Sequence, residues 1–196
     1  MTQTPTVPTV TSNEDALLNA ADDFLIEHEK FRKNAYQIKN KDGSLGQPTI
    51  GYGFEFYGDE QTRVKMGETI TEEQAKPLLR QKTSMIHNFL QKYPTYNEMS
   101  DRQKVGMISF AFNNGMNVFD DPVNPNIRAA LDSGDMNNIQ YWMRQFNKGE
   151  NMQPMLGLMN RREAEIQFMN DPEKLFNPFG ETVNVNPTSA SETTAP

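Results

Sequence analysis

Apolar residues recur every three or four positions along most of the chain. Leu17, Ala20, Ala21, Phe24, His28 and Phe31 fall on one stripe with a period near 3.6, which predicts an amphipathic helix. Ala75, Leu78, Leu79, Ile86, Phe89 and Leu90 form a second stripe, with Pro77 expected to bend or weaken the first turns of its helix. The stretch "QKVGMISFAFNNG" is apolar almost all round and predicts a central buried helix ending at Gly115. Further helices are expected around residues 127–132, 136–146 and 160–169, with Asp171-Pro172 as a stop. Ser12 with Asp15, Thr71 with Gln74 and Ser100 with Gln103 each have the spacing of a reciprocal N-terminal cap.

Between residues 35 and 57 the helical period is lost. "AYQIK", "NKDGSLGQ" and "PTIGYGFEFYG" follow one another, and two β-prone runs around a loop containing Asp-Gly predict a hairpin. Glycines inside such a strand mean a bulge or the close approach of another backbone or a ligand. The fold class is therefore α+β: a mostly helical lobe and a small β-hairpin lobe, with a cleft between them as the natural ligand site. The Thr- and Pro-rich residues 1–12 read as a flexible arm, residues 13–176 as one domain, and residues 177–196, which lack Lys and Arg, as a disordered tail.

Composition narrows the chemistry. A chain of 196 residues suits one domain with a real core. It has no cysteine and only two histidines, His28 and His87, so neither a disulfide framework nor a zinc site is expected. No apolar run reaches membrane-spanning length, and the N-terminus lacks the basic and apolar regions of a Sec signal. A net charge of −7 argues against a nucleic-acid partner. The candidate chemistry lies in "FLIEHEKFRKNAY", directly before the hairpin. Glu27 and Glu29 sit on opposite edges of the apolar stripe, so periodicity does not choose between them. Either could be a half-buried carboxyl suited to general acid catalysis, and both could equally be solvated helix residues.

Four segments together resemble one family. Glu29-x6-Tyr36 followed by "TIGYG", then "GETITEEQAKPLL", "QKVGMISFAFNNGMNVF" and "GLMNRREAEIQF" are similar, in order, to the signatures of the phage-type lysozymes, the endolysin muramidases. The resemblance implies a lysozyme-like fold and hydrolysis of the β-1,4 bond between N-acetylmuramic acid and N-acetylglucosamine in bacterial peptidoglycan. It implies Glu29 as general acid, with Thr49 and a hairpin aspartate holding the attacking water on the opposite sugar face. Asp42 is the only aspartate between Tyr36 and Thr49 and takes that role; the alternative is that Asp42-Gly43 is merely a turn. By the same resemblance Phe112 and Asn113 line the saccharide cleft, no cofactor or metal is needed, and the protein works as a monomer. It would wait in the host cytoplasm until the membrane is opened, by a holin for instance, or travel on the virion.

The chain departs from the family pattern in several places. Ile38 stands where the family has the aspartate of Tyr-x-Asp, the hairpin loop is longer, Lys30 replaces a glycine, and Phe54 replaces a polar residue. A Pro-rich stretch, "DDPVNPNIRAAL", follows Phe119. These leave two alternatives open: a lytic transglycosylase on the same fold, or a wall-binding or virion structural module that no longer cleaves. Structural roles are expected for Trp142 and His28 in the core and for one of Arg161 and Arg162 in an ion pair with Glu165.

Overall fold

The computed structural model describes residues 13–39, 42–58, 62–149 and 153–171. The Ser12 cap, the arm 1–12, the end of the domain at residues 172–176 and the tail 177–196 lie outside them. Helix α1 (Asn13–His28) buries Ala16, Leu17, Leu18, Ala21, Phe24 and Leu25, a broader face than the predicted stripe. Phe31 falls beyond its end and packs on the β-lobe. Helix α2 (Glu72–Leu90) starts at the expected capping box of Thr71 and Gln74 and runs through Pro77 without a break. The carbonyl left without a donor by Pro77 is that of Glu73, in the exposed first turn, where water can replace the missing N–H.

The short helix α3 (Pro94–Glu98) precedes α4 (Asp101–Asn114), which opens with the second capping box, Ser100 and Gln103. Residues 105 to 111 of α4 are all buried, as expected of a central helix. Gly115 ends it with φ of 89°, a conformation that disfavours side chains bearing a Cβ. A 3-10 turn (Met116–Phe119) leads to α5 (Pro125–Ser133), α6 (Met136–Gln145) and α7 (Leu156–Asn170). Helix α7 crosses α4 at Gly106, where an added Cβ would lie 2.3 Å from Met169 Cγ. A larger residue there would have to push the Met169 side chain aside.

Strands β1 (Arg32–Tyr36) and β2 (Thr49–Gly51) pair antiparallel, with Arg32 opposite Gly51 and Tyr36 opposite Thr49 and an irregularity between. A bridge from Lys39 to Leu45 extends the hairpin toward its tip, and one from Asn34 to Thr69 covers the other edge of β1. Two apolar clusters result. The larger fills the helical lobe, and the smaller joins Leu25, Ile50, Tyr52, Phe54, Ile70 and Leu79 under the hairpin. Helix α1 feeds both, and Phe112 packs against both, so α1 and α4 meet where the lobes join.

Candidate active site

The C-terminal end of α1 delivers Glu29 to this junction. Its amide still donates to Leu25 O at 2.7 Å, which holds the residue in helical register one position past the last assigned turn. The side chain is half-buried, and Arg161 Nη1 donates to its Oε1 at 2.9 Å. Arg161 is itself tightly held: its Nε donates to Glu165 Oε1 at 3.0 Å and its Nη2 to Ser109 Oγ at 3.0 Å. The Ser109 hydroxyl in turn donates to Glu165 Oε1 at 2.7 Å. Arg162 Nη2 donates to that same oxygen at 2.9 Å and to Asn113 Oδ1 at 3.0 Å.

Glu165 and Arg162 are almost completely buried. Burial pushes the Glu165 carboxyl above the usual carboxylate range and the Arg162 guanidinium below its own. Their mutual attraction works against both shifts, and the Ser109 hydroxyl works against that of Glu165. Arg162 Nε lies 2.8 Å from Glu165 Oε2, but neither atom has hydrogen-bond geometry, so that contact is electrostatic. The expected ion pair with Glu165 is thus made by both arginines, and Arg161 adds a link to Glu29 that spacing along the sequence could not reveal. Ser109 was also not legible as part of the site, because its partners lie 52 and 56 residues away. Glu27, by contrast, is exposed and lines a cavity of about 470 Å³ with His28, Asn113 and Arg161.

Thr49 begins β2, and its hydroxyl donates to Gln47 O at 3.1 Å. Asp42 sits at the hairpin tip, fully exposed, and its Oδ1 accepts from the Ser44 amide at 2.9 Å and the Ser44 hydroxyl at 2.6 Å. Those bonds, the hydroxyl's foremost, hold its carboxyl below the usual range. The Lys39–Leu45 bridge lies three residues beyond Tyr36, about 10 Å of extended strand, and Asp42 lies beyond the bridge.

A cleft of about 490 Å³ is lined by Gly53, Phe54, Tyr57, Leu78, Met85 and Phe112 among others, and Glu29, Asp42 and Thr49 lie outside its lining. Gly51 ends β2 and Gly53 lies in the turn after it, and the two serve different ends. A Cβ on Gly51 would come within 3.1 Å of the Phe54 ring, whereas one on Gly53 would meet nothing within 4 Å. Gly51 is needed for packing, and Gly53 offers bare backbone to the cleft. Phe112 is a cleft residue as well as a core one. Asn113 turns toward Arg162 and lines the smaller cavity. His28 stacks on Phe24, and its Nδ1 lies 2.8 Å from Phe24 O. Trp142 packs against the main core. Among the described residues no group of three or more His, Asp or Glu is arranged to hold a metal, and no helix is long and apolar enough to cross a membrane.

Known structures share this architecture. The endolysin from Escherichia coli O157:H7 phage FAHEc1 superposes with a TM-score of 0.59 at 24% identity, over 84% of this chain and 96% of that one. The muramidase domain of SpmX from Asticaccaulis excentricus gives 0.60 at 23%, over 78% and 96%. The P1 phage endolysin Lyz gives 0.59 at 22%, over 76% and 82%. At such identities the likeness is one of fold. No curated protein matches the chain in sequence. Residues 26–165, which include Glu29, the hairpin and the Arg161–Glu165 motif, match the family model described as phage lysozyme, and the chain belongs to that family.

Proposed function

We propose that this protein cleaves the β-1,4 bond between N-acetylmuramic acid and N-acetylglucosamine, with Glu29 as the general acid. Membership of the phage lysozyme family supports a glycosidase acting on peptidoglycan. The observation that carries the assignment of Glu29 is its place: a half-buried carboxyl at the end of α1, at the lobe junction, fixed by an arginine that is itself fixed by buried groups. For cleavage, a glycan strand in the cleft must extend past its lining to bring a bridging oxygen to Glu29. Glu29 protonates that oxygen as the sugar gains oxocarbenium character, and water adds from the opposite face. Thr49, whose hydroxyl both donates and accepts, orients that water, and Asp42 is the candidate base. Phe112 supplies an apolar wall for the sugar, and Asn113 a polar rim beside Arg162. The protein acts as a monomer, either released at lysis once the host membrane is opened or carried on the virion.

A second reading is favoured by one observation. Asp42 is engaged by Ser44 at the hairpin tip, and Ile38 occupies the position nearer the strand pair. A single acid without a water-activating carboxylate suits a lytic transglycosylase, in which the sugar's own hydroxyl attacks and an anhydro product forms. Product analysis separates the two. Hydrolysis creates new reducing ends, and their rate should fall about 10²-fold or more in Asp42→Asn. Anhydro products with an unaffected Asp42→Asn establish the transglycosylase instead.

A further inference from the structure

The chain is acidic overall, yet its basic residues are not evenly spread. Five of the 19 Lys and Arg residues fall between positions 30 and 41, a stretch with no Asp or Glu. Four of them, Lys30, Arg32, Lys33 and Lys39, are exposed on β1 and its flanks. On the helical side Arg80, Arg102, Arg128, Arg144, Arg161 and Arg162 are each paired with a carboxylate. None of the four hairpin cations takes part in an ion pair with another described residue; Arg32 instead lies 4.4 Å over the Tyr36 ring. Two carboxylates of the β-lobe are already engaged, Glu68 by Tyr57 and the Lys65 amide and Asp42 by Ser44.

We propose that this basic β1 segment docks the carboxylates of peptidoglycan stem peptides beside the cleft. The inference rests on the functional reading above and names the part of the substrate that reading leaves unplaced. A net charge of −7 repels an anionic wall at long range. At physiological ionic strength the screening length is about 8 Å, so a docking polymer responds to the charges nearest it. Strand β1 begins three residues after Glu29, and its partner β2 leads directly into the cleft wall at Gly53 and Phe54. Stem peptides hang from the same muramic acid units whose glycosidic bonds must reach Glu29. A glycan seated in the cleft therefore brings carboxylates to the hairpin.

The test is binding of the full chain to purified sacculi. It compares wild type, Lys33→Glu with Lys39→Glu, and a control of equal charge change at the exposed Lys76→Glu with Lys148→Glu. The hairpin variant is expected to lose about tenfold in affinity at low ionic strength, within the range of electrostatic attraction by a local charged surface. The control should change by less than about twofold, and the difference should vanish near 1 M salt, where screening falls to about 3 Å. On glycan stripped of its stem peptides by an amidase the hairpin effect should disappear. Equal losses in both variants, or a loss that persists on stripped glycan, would overturn the proposal. So would hairpin-dependent binding to phosphatidylglycerol vesicles with unchanged binding to sacculi. Binding is read without turnover, so hairpin-dependent attachment without cleavage would sink the hydrolase reading and leave the docking surface standing.

Discussion

Replacing Glu165 with glutamine tests whether the buried cluster behind Glu29 is a working ion network. The substitution keeps the shape and removes the charge. Arg161 would keep a carboxylate partner in Glu29 at 2.9 Å. Arg162 would not: its guanidinium is 1% exposed, and it would retain only neutral partners, the oxygen of the new amide, the Asn113 amide oxygen at 3.0 Å and the Phe110 ring at 5.0 Å. Stranding a buried cation in this way costs about 3–5 kcal/mol. For a chain of this size that corresponds to a drop of about 6–20 °C in Tm. Thermal and urea unfolding followed by circular dichroism measure it. Adding Arg162→Met removes the stranded charge and should recover about 2 kcal/mol or more, as coupling between contacting charges allows. A cost below about 1 kcal/mol for Glu165→Gln, or no recovery in the double variant, would show that Glu165 does not carry the charge of this network.

Stability should fall as pH drops below about 6.5. His87 is buried, and burial, its largest influence, holds its pKa below the ordinary value. The charges of Glu14, Asp101 and Lys104 face it with opposing effects. The unfolded chain therefore takes up a proton first, and the stabilisation present above pH 6.5 is lost as pH falls toward the folded pKa. His87→Gln, which keeps a polar group near Tyr96, should flatten that slope in denaturant titrations; an unchanged slope would assign it to other groups. At the two glycines, Gly53→Ala should cost about 1 kcal/mol for its positive φ and weaken sacculus binding. Gly51→Ala should destabilise more, because its methyl also meets Phe54. Equal stability losses at the two positions would refute the division of roles drawn between them.

Most of the helices were legible because local and tertiary preferences agree in them. The capping boxes at Thr71 and Ser100 fix starts that the apolar stripes also require, and the all-round apolar run of α4 could only be a buried helix. Helix α3 and the 3-10 turn were not read, since segments of five and four residues are too short to show a period. The helical wheel could not choose between Glu27 and Glu29 because the choice depends on what faces the end of α1. Arg161 faces it, from 132 residues away. The Glu165 pairs, three and four residues apart, were legible for the opposite reason. Asp42 carries the same Asp-Gly signal whether it turns the chain or activates water, and its bonds to Ser44 show that it turns the chain without deciding the chemistry.

The most direct test of the central claim is turbidity loss and product release from outer-membrane-permeabilised bacteria and purified peptidoglycan, comparing wild type, Glu29→Gln and Glu27→Gln, each shown to be folded by circular dichroism. Wild type and Glu27→Gln are expected to clear the suspension and release saccharide, and Glu29→Gln to lose about 10²-fold or more in rate, the usual contribution of a general acid. Undiminished clearing by a folded Glu29→Gln, or a folded wild type that binds walls and never opens them, would contradict it.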